Sequence, residues 1–330
     1  MLYANSMFDL ISIGDPAADH FFKIHDAHVE VEKNGRELCL RYGDKLPVEQ
    51  YRLSLGGNTA NNAVGASRLG MKTAVYLNVG SDPMGKFTIN RLKEDKVDTR
   101  FVVVNEGMDS NVSALISFRG ERTILTYHQD FKYQLPDLDK CKFLYLSSMG
   151  KSAFENNFFK QVENYTERSG AFLGFNPGTH ELSYGIKKLA KILALTKLLI
   201  LNKEETEDVL GVKGKSDIKR LLRGLHELGP KMVIITDAHK GSYGYDGDNF
   251  YQLGIFPAKV IDMTGAGDGF ATGVLAGLFY GKPLPEAMRW GAANGAAVVE
   301  EIGPQAGLLS YNRMQGVLKE NMNVIAKELK

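Results

Sequence analysis

Apolar residues along this chain fall into short continuous runs separated by longer stretches with helical spacing. The runs MFDLISIGD, KTAVYLNVG, KFLYLSSMG, AFLGFNPG, LLILNKEE and KMVIITDAHKG predict strands. NTANNAVGASRLG, DPMGKFTINRLKEDK, AFENNFFKQVENYTERSG, GIKKLAKILALTK and SDIKRLLRGLHELG predict helices between them, the first stopping near Gly70. Strands alternating with helices imply βαβ units and a mostly parallel sheet covered on both faces. LLIL and MVII are continuous, as strands buried on both sides require.

Two stretches break this rhythm. Residues 20–55 contain HVEVEKNGRELCLRYGDKLPVEQYRLS, with polar–apolar alternation and a turn at Asn34–Gly35. Residues 100–128 contain RFVVVNEGMDSNVSALISFRGERTILTYH, with turns near Gly107 and Arg119–Gly120. Both predict hairpin strands with one solvated face. Together they read as a small β-sheet projecting from the body, a lid over strand ends or a dimer clasp. Exposed edge strands tend to be covered, so a homodimer through this sheet is expected. The expected fold is one α/β domain over 1–330.

Near the C-terminus the strand-like run FPAKVI leads into DMTGAGDGF (262–270), and ATGVLAGLFYG then reads as a buried helix. The first N–H groups of a helix lack intrahelical partners and carry partial positive charge. Gly265, Ala266 and Gly267 leave those groups open to an anion. A carboxylate repels an anion, so Asp268 suits that place if it takes a proton. Phosphoryl transfer to an alcohol needs both a base and N–H groups around the moving phosphoryl. The plainer alternative is an Asp cap above packing glycines. The stretch is neither a Walker A loop nor a dinucleotide fingerprint.

Composition removes several classes. A hydrophobic share of 44% in 330 residues allows a large core. Net charge is +1, from 40 basic and 39 acidic residues, which gives no general attraction to nucleic acid or to an anionic membrane. Cys39 and Cys141 are too few for a disulfide framework and lack C-x-x-C spacing, so zinc is not expected, and the seven His do not cluster as ligands. No run approaches a membrane span, and MLYANSMFDLISIGD lacks the marks of a secretory leader, so a cytoplasmic protein is expected.

DMTGAGDGF resembles the C-terminal signature of the PfkB, or ribokinase-like, carbohydrate kinases, with Met263 between Asp262 and Thr264. GGNTANNA (56–63), VGSDPMGKF, LNKEE and TDAHKGSYGY are similar to further elements of that family, in family order and over almost the whole chain. The resemblance implies a ribokinase-like fold and an ATP- and Mg2+-dependent kinase. It implies that Asp268 is the general base, with the N–H groups of Gly265, Ala266 and Gly267 around the phosphoryl group. Asp19 matches the family Asp that binds substrate hydroxyls, and it would end the first strand and open the lid. Asp15 reads as structural. Gly56, Gly57 and Asn61 are expected at the substrate, although Asn61 also suits a helix cap.

On the nucleotide side the resemblance points to Asn202 and Glu205, with Glu205 reaching Mg2+ through water. The alternative there is a solvated charge run, and Glu204 is unassigned. Thr236, Asp237 and Gly241 follow a strand, and Asn294 lies on the small-residue helix WGAANGAAVVEE that would pack against an adenine. Asp262 and Thr264, with backbone near Gly303, are candidates for a monovalent cation such as K+. Trp290 is expected to pack.

The acceptor stays open. Asn58 stands where relatives acting on phosphorylated sugars often carry Lys, which weakens a phosphofructokinase reading. Tyr127 and Arg119 or Arg122 are placed to cover a sugar face or pair with the carboxylate of a sugar acid. Their alternative is exposure on a hairpin. A sugar kinase is the leading reading, a nucleoside kinase of the same family the second, and a silent sugar- or nucleotide-binding protein the third.

Overall fold

The computed structural model describes residues 7–32, 35–119, 121–212 and 216–329, so the expected turns at Asn34–Gly35 and Arg119–Gly120 fall partly outside the described residues. The strands are β1 (Phe8–Ile13), β2 (Ala17–Lys23), β3 (His28–Glu32), β4 (Gly35–Cys39), β5 (Gln50–Gly56), β6 (Thr73–Gly80), β7 (Asp98–Asn105) and β8 (Val112–Phe118). They continue with β9 (Glu121–Tyr127), β10 (Cys141–Leu146), β11 (Phe172–Phe175), β12 (Leu198–Asn202), β13 (Met232–Thr236), β14 (Ser242–Tyr245), β15 (Phe250–Leu253) and β16 (Lys327–Glu328).

The large sheet has the order β16-β15-β14-β13-β12-β11-β10-β1-β6-β7. It is parallel from β7 to β13, and β14, β15 and β16 are antiparallel. Its strands carry the continuous apolar runs because both faces are covered. Leu199, Leu201, Val233 and Ile235 enter a core on one face, and Leu198, Ile200 and Ile234 enter a core on the other. Each such side chain contributes roughly 1.5–3 kcal/mol when fully buried.

The second core holds the helix Ala266–Phe279 against the helix Leu284–Val298. Gly269, Gly273 and Gly277 recur every fourth residue, and this spacing puts them on one face. A Cβ on Gly273 would lie 2.5 Å from Trp290 O, and one on Gly277 would lie 2.8 Å from Ala287 Cα. Small side chains therefore let two backbones touch. Trp290 packs as expected, fully buried beside Tyr280 and Tyr311.

The two interrupting stretches build a four-stranded sheet of order β5-β2-β8-β9. The boundaries differ from expectation. Asp98–Asn105 pairs with β6 at the edge of the large sheet, so only β8 and β9 come from the second stretch. β3 and β4 form a separate hairpin. FPAKVI makes no strand: Pro257 has no N–H for a ladder, and Val260 and Ile261 are exposed. The helix expected over AFENNFFKQVENYTERSG is split into Ser152–Glu155 and Phe158–Ser169 by Asn157, whose φ is 55°. Among the described residues no helix is long and apolar enough to cross a membrane.

Candidate active site

Asp268 is the third residue of the helix Ala266–Phe279. Gly265 caps that helix at φ 81°, and a Cβ there would meet Pro304 at 2.5 Å, so position 265 requires glycine twice over. Gly267 is exposed, and nothing lies within 4 Å of a Cβ added to it, so the first turn is open above. The Ala266 N–H donates to Met263 O at 3.3 Å and so faces into the turn.

Asn61 lies inside the helix Asn58–Arg68 and is not its cap. Its Nδ2 donates to Asp268 Oδ2 at 2.7 Å, and Gln305 Nε2 donates to Asn61 Oδ1 at 3.0 Å. A second chain runs from β1. Ser12 Oγ donates to Asn62 Oδ1 at 2.7 Å, Asn62 Nδ2 to Thr272 Oγ1 at 3.1 Å, and Thr272 Oγ1 to Asp268 O at 2.7 Å. Ser12, Asn62, Thr272 and Gln305 were not legible in the sequence as site residues. Burial pushes the Asp268 carboxyl up to about 6, and the bond from Asn61 opposes that rise.

Asp19 is placed differently from the expectation. β1 ends at Ile13, and Asp19 lies within β2, inside the small sheet. It stands opposite Ser54 on β5 and Ser113 on β8. Burial pushes Asp19 up to about 7, a hydrogen bond with Ser113 holds it down, and the charges of Asp268 and Asp262 push it further up. Gly56 makes room for it, since a Cβ at 56 would lie 2.0 Å from Asp19 Oδ2. Gly57, at φ 88°, passes so close to Asp15 O that a Cβ would meet it at 2.5 Å. Asp15 is structural, as expected: its Oδ2 accepts from Tyr133 Oη at 2.5 Å and from the Gly150 N–H at 2.7 Å.

Strand register sorts the other sheet residues by face. Arg52 opposes Phe21, and Arg122 opposes Ser117, which opposes Lys23, so these share the face of Asp19. A cavity of about 270 Å³ lies between that face and residues 261–263, with Phe21, Lys23, Arg52, Leu115 and Arg122 in its wall. Lys23 is paired with Glu49 at 2.8 Å. Tyr127 opposes Val112 and through it Ala18, one position out of step with Asp19. It is therefore on the other face, where its hydroxyl donates to Gln129, and it does not join the site. Arg119, at φ 50°, stacks over Phe118 at the hairpin tip.

At the ends of β12 and β13, Asn202 stands opposite Thr236. Asn202 and Glu205 form a reciprocal capping box, each bond 2.8 Å. The Asp237 carboxylate lies 3.7 Å from Lys203 Nζ and 3.5 Å from Lys240 Nζ. Gly241 has φ 90°, and a Cβ there would be 2.0 Å from Leu253 O. The Ser242 hydroxyl beside it is buried with no hydrogen-bond partner among the described residues.

Asn294 contradicts its expected place against an adenine. It is fully buried, with Nδ2 donating to Gly269 O at 2.7 Å and Oδ1 accepting from the Leu309 N–H at 3.0 Å. Both ends of its amide join protein elements. Asp262, Thr264 and Gly303 do meet: Asp262 Oδ1 accepts from the Thr264 hydroxyl at 2.7 Å and its N–H at 3.0 Å, and Oδ2 accepts from the Gly303 N–H at 3.0 Å. These bonds staple the glycine-rich turn to the segment that follows the helix Leu284–Val298.

The family model described as pfkB family carbohydrate kinase matches residues 23–310. A 5-dehydro-2-deoxygluconokinase of Geobacillus kaustophilus is 27% identical over 313 residues, covering 89% of this chain and 92% of that one. Arabidopsis thaliana ribokinase, solved with ribose and ATP, has a TM-score of 0.79 at 20% identity, covering 95% of this chain and 99% of that one. A ribokinase II candidate from E. coli, solved with ATP and Mg2+, has a TM-score of 0.77 at 19% identity and covers 96% of this chain and 100% of that one.

Proposed function

The chain belongs to the pfkB family of carbohydrate kinases, a phosphotransferase family acting on sugar hydroxyls, and on that premise we propose that Asp268 is its general base and a sugar acid its acceptor. The observation that carries the first part is the Asp268 carboxylate at an open, glycine-rich helix start, held at one oxygen by Asn61, and desolvation raises its pKa toward the working range of a base. A base works best with a pKa near the working pH. In this reading Asp19 accepts hydrogen bonds from acceptor hydroxyls, and Asp268 takes the proton of the hydroxyl that attacks. Asn61 fixes the carboxylate so that one oxygen is held and the other is free to receive that proton.

The ends of β12 and β13 have a donor set that suits a nucleotide phosphate with Mg2+. Lys203 and Lys240 bring positive charge, Glu205 a carboxylate reachable through water, and Ser242 a buried hydroxyl in need of a partner. ATP with Mg2+, when bound, supplies the phosphoryl group and neutralises its charge.

Arg52 and Arg122 support an acidic acceptor. Two same-face residues along a strand are roughly 7 Å apart. Arg52 is therefore one row from Asp19, about the length of a short open-chain sugar. A carboxylate at Arg52 and hydroxyls at Asp19 fit one acceptor, and Arg122, one row further out beside Lys23, adds positive charge at the carboxylate end. The outer face of the same sheet exposes Tyr51, Leu125 and Tyr127, which supports the homodimer expected through it, and light scattering tests that.

ADP release with Mg2+-ATP, measured over sugars, sugar acids, sugar phosphates and nucleosides, tests the reading. Turnover on sugar acids above neutral sugars supports it. Turnover confined to nucleosides, or on none of these acceptors, overturns it.

A further inference from the structure

The hairpin of β3 and β4 has no evident reason to hold together. Among the described residues it pairs with neither sheet, and none of its described side chains enters a hydrophobic core. Val29 and Val31 are exposed on one face. An isolated two-stranded hairpin is marginal in water. On the other face, the register sets His28 opposite Cys39 and Glu30 opposite Glu37. Two carboxylates placed directly across a ladder repel.

We propose that His28, Glu30 and Cys39 bind a zinc ion that clasps this hairpin. Their ligand atoms lie within 4.8 Å of one another, and His28 Nε2 is 3.1 Å from Glu30 Oε1. Zinc bonds of about 2.0–2.3 Å in a tetrahedron put ligand atoms roughly 3.3–3.8 Å apart. Closing from at most 4.8 Å to that spacing asks for about 1 Å of movement from side chains that the strand register already places on one face. A nitrogen, a sulfur and an oxygen form a donor set for zinc and not for magnesium, which prefers oxygen throughout. Glu37 shares the face, and it or a water takes the fourth position. Cys39 gives its thiol proton to solvent on binding, and its sulfur becomes the thiolate ligand. Cys39 is half-buried and free, and the other cysteine, Cys141, is buried in the core. Sequence spacing gives no hint of this site, because its parts meet only across the strand pair. The proposal is independent of the kinase reading.

The test uses the full chain after dialysis against a chelator. Titration with Co2+ is expected to give one ion per chain, a thiolate-to-metal absorption band and four-coordinate d–d bands, all displaced by Zn2+. Cys39→Ser removes the thiolate band, and Cys39→Ser and His28→Ala each lower Zn2+ affinity by about tenfold or more. Zn2+ also slows tryptic cleavage after Arg36 in the parent chain and not in Cys39→Ser. The substituted side chains lie at the surface or half-buried, and an unchanged metal-free melting curve verifies that each variant folds. Absence of the thiolate band, or its persistence in Cys39→Ser, overturns the proposal.

Discussion

Asn61 Nδ2 lies 2.7 Å from Asp268 Oδ2, although 207 positions separate the two residues in the chain. Asn61 is itself held by Gln305, so three distant segments set the direction of one carboxylate. This arrangement assigns different results to the two simplest substitutions.

Asp268→Asn keeps the shape of the side chain and removes the base. The expected result is a loss of about 10²- to 10⁴-fold in kcat with a near-parental melting temperature. A steady-state assay with a thermal melt checks both, and near-parental kcat would dismiss Asp268 as the base.

Asn61→Ala removes the bond that opposes the rise in the Asp268 pKa. In the parent, activity is expected to fall as pH drops through about 6, because the base becomes protonated. In the variant the acidic limb of the kcat profile moves to higher pH. Leaving Gln305 Nε2 buried and unpaired costs about 1–3 kcal/mol of stability. An acidic limb that stays in place would make Asn61 a packing residue only.

Arg52→Ala and Arg122→Ala are expected to raise KM for a sugar acid by roughly tenfold or more each, with little change for a neutral sugar, since a charge-assisted bond contributes about 1.5–3 kcal/mol. Equal effects on both acceptors would remove the acidic acceptor and leave the kinase reading intact.

Stability and activity are expected to pull apart with pH. Burial pushes both Asp15 and Glu181 up to about 7 from ordinary values of 3.8 and 4.5. A carboxyl with a raised folded pKa holds its proton more tightly folded than unfolded. Its stabilising contribution is full below the unfolded value and is lost as pH rises through about 7. Denaturant melts are therefore expected to show lower stability at pH 8 than at pH 5.5. Asp15→Asn flattens that slope by up to about 2 kcal/mol over this interval, since only the roughly 1.5 units from pH 5.5 to about 7 fall within it. A slope of the opposite sign would show that other groups dominate.

Much of the fold was legible because its large sheet is buried on both faces. LLIL and MVII declare themselves by continuity, and GAGDGF by its lack of side chains. The failures share a cause. The chemistry of Tyr127 suits a sugar face, but the pleat decides its face, and the pleat depends on register with Val112. Asn294 looked available on a helix of small residues, but those residues are small because another helix lies against them. FPAKVI is apolar enough for a strand, but its Ile261 N–H donates to Val299 O at the end of a helix, at 2.7 Å, and not to a neighbouring strand. The bond of Asn61 to Asp268 is a tertiary fact that no local pattern carries.

The two carboxylates of the site belong to different mechanical parts. Asp268 is fixed to the body by buried helices, whereas Asp19 rides on a sheet joined to β1 by the short link Gly14–Pro16, which Asp15 pins at its root. Any swing of that sheet about the link changes the separation of acceptor clamp and base. In the proposed reading, an acceptor held by Asp19 would therefore tie the small sheet to the body that carries Asp268.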